Sequence, residues 1–131
     1  LVPFSPLGRG FLTGTARPAD ELAENDFRRQ ADPRYERANF EANMRAAAAV
    51  RDFAAQRDLA PGQVALAWLL HKGPDIVPIP GTKRRRYLEE NVASAEVSLS
   101  PEDMAFLDAA LSPEKITGPR YFPSNMAMVD R

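Results

Sequence analysis

The sequence predicts an α/β fold built from parallel βαβ units, and three observations predict it. Two short apolar runs, Leu1-Val2-Pro3-Phe4 and Ile76-Val77-Pro78-Ile79, stand far apart in the chain. Between and after them lie amphipathic segments with helical period. The resulting order is strand, long loop, helices, strand, helix, helix, tail, which is the succession of helices packed on a parallel sheet. Two parallel strands do not hold as a sheet alone, and a (β/α)8 or TIM barrel takes roughly 250 residues. With 131 residues, the chain is expected to supply the C-terminal part of such a barrel: its last two strands with their helices and a tail.

Each element has its own local reason. Residues 1–5 form an apolar strand stopped by Ser5-Pro6-Leu7-Gly8, where Pro6 cannot donate to a ladder and Gly8 allows a sharp turn. Residues 8–36 carry Gly10, Gly14, Pro18 and Pro33 without a sustained period. They read as a long loop with one short helical turn, a length usually functional or disordered. Over 38–58, Phe40, Met44, Ala47, Val50 and Ala54 recur every three or four residues, so an amphipathic helix is expected. Pro61 suits the first turn of the next helix, 64–70 is apolar almost all round, and Gly73-Pro74 stops it. The β-branched run 76–79 fits a strand buried on both faces and closed by Gly81. A helix over 84–95 places Leu88, Val92 and Ala95 on one side. Ser100-Pro101-Glu102-Asp103 then reads as an N-cap, a first-turn proline and an N3 acid, ahead of a buried stripe of Met104, Leu107 and Leu111. After Ser112 a surface tail is expected, anchored by Tyr121 and Phe122.

Composition narrows the function classes. Hydrophobic residues at 44% and charged residues at 27% suit one ordinary domain. A net charge of −1 gives no global field for nucleic acid or an anionic membrane, so neither is an expected partner, and any anion site must come from local placement. No apolar run approaches the roughly 20 residues of a membrane span. Without cysteine or a signal-peptide pattern, a disulfide-stabilised secreted fold is excluded and a cytoplasmic setting is expected. No metal site is expected. The chain opens without methionine and runs straight into a strand, so an N-terminal part is expected to be missing.

Two stretches carry chemistry. In Phe4-Ser5-Pro6-Leu7-Gly8-Arg9-Gly10, a strand end is followed by small residues whose amides, with the Ser5 hydroxyl, suit a pyrophosphate; the alternative is a plain turn. In Ile79-Pro80-Gly81-Thr82-Lys83-Arg84-Arg85-Arg86, four cations stand where a helix starts, against its dipole. A bound anion resolves that conflict. The alternative is a solvated basic face paired with Glu89 and Glu90. Both stretches follow strands, and the loops after the last strands of a (β/α)8 barrel often form a phosphate site. A ligand with a pyrophosphate and a further phosphate, such as NADPH, suits the pair.

Three motifs in order carry a family resemblance: Phe4-Ser5-Pro6-Leu7-Gly8-Arg9-Gly10-Phe11-Leu12-Thr13-Gly14, Val64-Ala65-Leu66-Ala67-Trp68-Leu69-Leu70, and Ile79-Pro80-Gly81-Thr82-Lys83 with Leu88-Glu89-Glu90-Asn91. The chain resembles the C-terminal half of aldo-keto reductases, and its tail, Arg120-Tyr121 and Val129-Asp130-Arg131, is similar to members of the bacterial branch. The resemblance implies that residues 1–131 are one segment of a single barrel domain. It implies that Ser5, Pro6, Leu7, Gly8 and Gly10 fold over the cofactor pyrophosphate, with Arg28 clasping it from the long loop. It further implies that Gly81, Thr82 and Lys83 surround the 2′-phosphate, flanked by Arg84 or Tyr87, while Glu90 and Asn91 hydrogen-bond the adenine. Gly81 stands where eukaryotic members often carry lysine, which leaves Lys83 and Arg84 as the charges on the phosphate.

The family's catalytic aspartate, tyrosine, lysine and histidine map to no residue here and are expected upstream of Leu1. His71, at a helix C-terminus, reads as structural, an imidazolium facing the dipole. Tyr35, Tyr87 and Tyr121 lack a lysine and histidine pattern and read as packing or ligand contacts. The implied function is NADPH-dependent reduction of aldehydes or ketones, with a small carbonyl compound as substrate. This chain would contribute the cofactor grip, the loop 10–36 a cover, and the tail from Thr117 the substrate mouth. The alternatives are a non-catalytic nucleotide-binding or regulatory protein, as some family members are channel-associated, and an inactive truncated fragment.

Overall fold

A computed structural model describes residues 1–129, so the Asp130-Arg131 end of the tail motif lies outside the described residues. Six α-helices occur among them: α1 (Phe27–Ala31), α2 (Arg37–Ala55), α3 (Pro61–Leu70), α4 (Arg85–Ala93), α5 (Pro101–Ala110) and α6 (Pro123–Met126). The core is a helical layer. On α2, Phe40, Asn43, Ala47, Val50, Phe53 and Ala54 are buried at spacings of one helical turn. Val50, Phe53 and Ala54 pack with Val64 and Ala67 of α3, and with Leu99 and Leu107. Val50 and Val64, essentially sealed from water, each contribute roughly 1.5–3 kcal/mol by burial.

The starts of α3 and α5 are built as their sequences predict. Pro61 occupies the first turn of α3, and the Gln63 side chain accepts the Ala60 amide at 3.0 Å. At α5 the Asp103 amide donates to Ser100 Oγ and the Ser100 amide to Asp103 Oδ2, both at 3.1 Å. A reciprocal cap of this kind contributes about 1 kcal/mol.

Several expectations are corrected. The two apolar runs pair in parallel, but through a single bridge, Phe4 with Ile79, flanked by amide donation from Val77 to the Leu1 carbonyl (2.9 Å) and from Ile79 to the Pro3 carbonyl (3.4 Å). No longer strand forms among the described residues. Proline at positions 3, 78 and 80 removes donors from so short a ladder. The run 76–79 is not buried on both faces: Val77 is 58% and Ile79 53% exposed.

The segment 8–36 is more ordered than a long loop. It holds 3-10 turns at Gly8–Thr13, Ala19–Glu21 and Pro33–Tyr35, besides α1. Phe11, Tyr35 and Phe40 form a second core there, with Phe11 ring centroids 4.7 Å from Tyr35 and 5.3 Å from Phe40. On α4, the side carrying Leu88 and Val92 is exposed, and the helix meets α3 while Glu90 and Asn91 are half-buried. Of the α5 stripe, Leu107 is buried while Met104 and Leu111 are partly so.

The tail is anchored, and by more than its aromatics. Asn43 holds the Thr117 backbone through two hydrogen bonds of 2.9 and 2.8 Å. Arg34 Nε donates to the Gly118 carbonyl at 3.3 Å. His71 is structural, although the neutral ring is what the bonds require: Nε2 accepts the Leu99 amide at 3.2 Å while Nδ1 donates to the Ala67 carbonyl at 2.8 Å. An imidazolium has no lone pair for that amide.

Candidate functional site

The first candidate stretch turns immediately after the Phe4 bridge. Ser5, Gly8, Arg9 and Gly10 all have positive φ, at 49°, 59°, 55° and 115°. For Ser5 and Arg9 that conformation costs on the order of 1–2 kcal/mol each, so the surroundings must hold it. The Gly8 amide closes back on the Ser5 carbonyl at 2.9 Å and the Gly10 amide on Leu7 at 3.1 Å. The buried Tyr35 hydroxyl donates to the Arg9 carbonyl at 2.7 Å. A Cβ on Gly10 would lie 3.8 Å from that hydroxyl, in a conformation only glycine adopts freely. Burial pushes the Tyr35 phenol up to about 12, with the nearby Arg28 guanidinium pulling in the opposite direction.

Arg9 was not among the sequence-derived candidates, yet its side chain ties this region together. Nη1 donates to Asp32 Oδ2 at 2.7 Å and Nη2 to the Tyr121 hydroxyl at 3.1 Å. The guanidinium also lies 5.1 Å from the Phe27 ring centroid and 5.2 Å from that of Tyr121. Asp32 is buried and also accepts the Arg34 amide at 3.2 Å. Arg28 is engaged elsewhere: Nε and Nη2 bind Asp26 bidentately at 2.9 and 2.7 Å. That pairing holds the Asp26 carboxyl down to about 2 and raises the Arg28 guanidinium.

The second stretch is open and cationic. No atom lies within 4 Å of where a Cβ on Gly81 would stand. Thr82 Oγ1 accepts the Arg84 amide at 3.2 Å and fixes the turn into α4. That helix has no acidic residue in its first turn and no side-chain cap. Arg85 pairs with Glu89 at 2.7 Å, as the solvated-face alternative requires. Arg84 instead lies 5.9 Å from the Tyr87 ring centroid, and Lys83 is exposed.

Two contacts bring the stretches together. Parallel pairing of Phe4 with Ile79 means that both chains leave the pair at the same end, so residues 5–10 and 81–84 emerge side by side. At Gly62, near the start of α3, an added Cβ would stand 3.6 Å from Leu7 Cδ2, 3.8 Å from Thr13 Cγ2 and 4.0 Å from Glu90 Oε1. The loop side chains and Glu90 therefore converge on one small residue, which the sequence reading passed over. Asn91 is half-buried one residue on, with its carbonyl accepting the Ser94 hydroxyl at 2.6 Å.

Residues 1–112 match the aldo/keto reductase family. The chain belongs to that family. Among curated relatives of this aldo/keto reductase chain, a protein of Schizosaccharomyces pombe named aldo-keto reductase yakc, NADP(+), is 45% identical over 123 residues. That alignment covers 94% of the chain and 36% of the relative. Aldo-keto reductase str7 of Strobilurus tenacellus is 38% identical over 130 residues, covering 99% of the chain and 38% of the relative. The chain thus spans little more than a third of either relative. Among the described residues, no helix is long and apolar enough to cross a membrane.

Proposed function

We propose that this chain is the nucleotide-gripping, C-terminal segment of a single aldo-keto reductase barrel, and that the whole protein reduces aldehydes or ketones with NADPH. The observation that carries the reading is the parallel pairing of Phe4 with Ile79, which sets the two anion-suited loops at one end of the fold. The relative whose name includes NADP(+) supports the cofactor. A cytoplasmic setting and a small carbonyl substrate belong to the same reading, as do catalytic residues outside these 131.

The residues present fit a phosphorylated dinucleotide. Ser5, Pro6, Leu7, Gly8 and Gly10 form a tight turn whose backbone can approach a pyrophosphate closely. Gly81 leaves room beside Thr82, and the charges of Lys83 and Arg84 face a helix start that favours an anion. Tyr87, Glu90 and Asn91 lie within one turn of α4, where an adenine can meet them. Arg28 joins this set only by exchanging Asp26 for a phosphate. When bound, NADPH supplies the hydride; these residues bind and orient it. Equilibrium titration with NADPH and NADH tests the reading. Lys83→Ala should weaken NADPH about ten-fold and NADH little, as loss of a charged hydrogen bond implies. Equal losses, or no binding of either nucleotide, would sink it.

A further inference from the structure

A cleft of about 310 Å³ opens beneath the tail, bounded by the Ser5–Arg9 turn, α2 and the residues around Ile116 and Arg120. Arg9, Arg34 and Arg120 line it, and among the described residues Asp32 is the only carboxylate in its lining. Arg9 takes that carboxylate at 2.7 Å. Among the described residues, Arg34 and Arg120 have no counter-ion in the cleft, although the chain as a whole carries −1. Each has a contact beside the cleft. Arg34 is fixed by the Gly118 carbonyl, while Arg120 lies 4.6 Å from the Phe4 ring centroid and 5.8 Å from that of Tyr121. Much of the remaining wall is apolar, from Phe11, Leu12 and Leu111.

Two arginines without a carboxylate partner among the described residues, in a largely apolar cleft, suit a carboxylate or phosphate, whose paired oxygens a planar guanidinium binds bidentately. We propose that this cleft is an oxyanion subsite in which Arg34 and Arg120 hold a carboxylate or phosphate group. Such a group comes either from an acidic carbonyl substrate or from the cofactor. The choice of source rests on the reductase reading above, whereas the subsite itself does not.

Arg120 is the residue to change, because its contacts among the described residues are with rings, and no hydrogen bond among those residues is lost with it. The chain is titrated with benzoate, inorganic pyrophosphate and neutral benzamide, followed through the amide resonances of Gly8 and Gly118. Benzoate, pyrophosphate or both should saturate and benzamide should not. Arg120→Met should weaken the binding about ten-fold, the loss expected for a charged hydrogen bond. Arg45→Met, on an exposed part of α2 outside the cleft, should leave it unchanged. Saturation by benzoate, with NADPH affinity unaltered in Arg120→Met, identifies a substrate carboxylate. Saturation by pyrophosphate, with NADPH affinity falling in parallel, identifies the cofactor. If neither anion saturates, if benzamide binds equally, or if Arg45→Met weakens binding as much as Arg120→Met, the subsite is overturned. Benzoate binding that persists while NADPH fails to bind removes the cofactor reading and leaves the subsite standing.

Discussion

The carboxamide of Asn43 holds Thr117 on both sides of its backbone, donating to the carbonyl at 2.9 Å and accepting from the amide at 2.8 Å. Asn43 is buried on α2, so this pair fixes the start of the tail to the longest helix among the described residues. Replacement by alanine removes both bonds. Asn43→Ala should cost about 2 kcal/mol, at roughly 1 kcal/mol per bond. Urea unfolding measures that loss, and amide hydrogen exchange at Thr117 should accelerate with it. Unchanged exchange would show that the tail is held by its aromatic contacts instead.

Tyr35 gives the fold an alkaline limit. Its phenol is pushed up to about 12 by burial, above the ordinary value near 10. The stabilisation is therefore fully present below pH 10 and is lost as pH rises through about 12. Unfolding free energy measured from pH 8 to 12 should fall across that upper window. Tyr35→Phe should flatten the fall and, by leaving the Arg9 carbonyl without its donor, cost about 1–3 kcal/mol at neutral pH. A pH profile identical in the two proteins would refute this.

Gly62 separates small from large. An added methyl meets its neighbours at 3.6 to 4.0 Å, which is ordinary contact. Gly62→Ala should then be tolerated and even stabilise by about 0.5 kcal/mol through the unfolded chain. Gly62→Leu, by contrast, must push Leu7 away from Glu90, and should weaken NADPH binding while leaving the far cap at Ser100 intact. A loss of binding in Gly62→Ala as large as in Gly62→Leu would contradict the steric explanation.

His71 predicts a local effect only. Removing Nε2 leaves the Leu99 amide without its acceptor, at a cost of about 1–2 kcal/mol. His71→Leu should lower the denaturation midpoint by that measure and leave nucleotide affinity unchanged. A change in affinity instead would mean that the ring contributes to the binding site.

The elements legible in the sequence were those whose signals are local. Periodic burial on α2, Pro61 opening α3, and the Ser100–Asp103 cap each depend on residues within a turn or two of one another. The segment 8–36 has no legible period because its helices are three to six residues long, below the length at which period is visible. Long-range contacts shape it, such as Tyr35 on the Arg9 carbonyl and Arg9 on Asp32 and Tyr121. Arg28 is the opposite case: its partner Asp26 stands only two residues before it, a local pairing that the sequence displays. Gly62 left no signal at all, since a glycine in the first turn of a helix does not reveal which loops will close on it.

The link between Asn43 and Thr117 spans 74 residues, and that separation has a consequence during biosynthesis. At about 5–20 residues per second, a ribosome leaves roughly 4–15 s between adding Asn43 and adding its partner. Throughout that interval the carboxamide has no Thr117 to hold, and Phe11 and Leu12, the early part of the cleft's apolar wall, are without Leu111 until just before Thr117 is added. Translation speed between those two codons therefore sets how long a chaperone has access to these side chains.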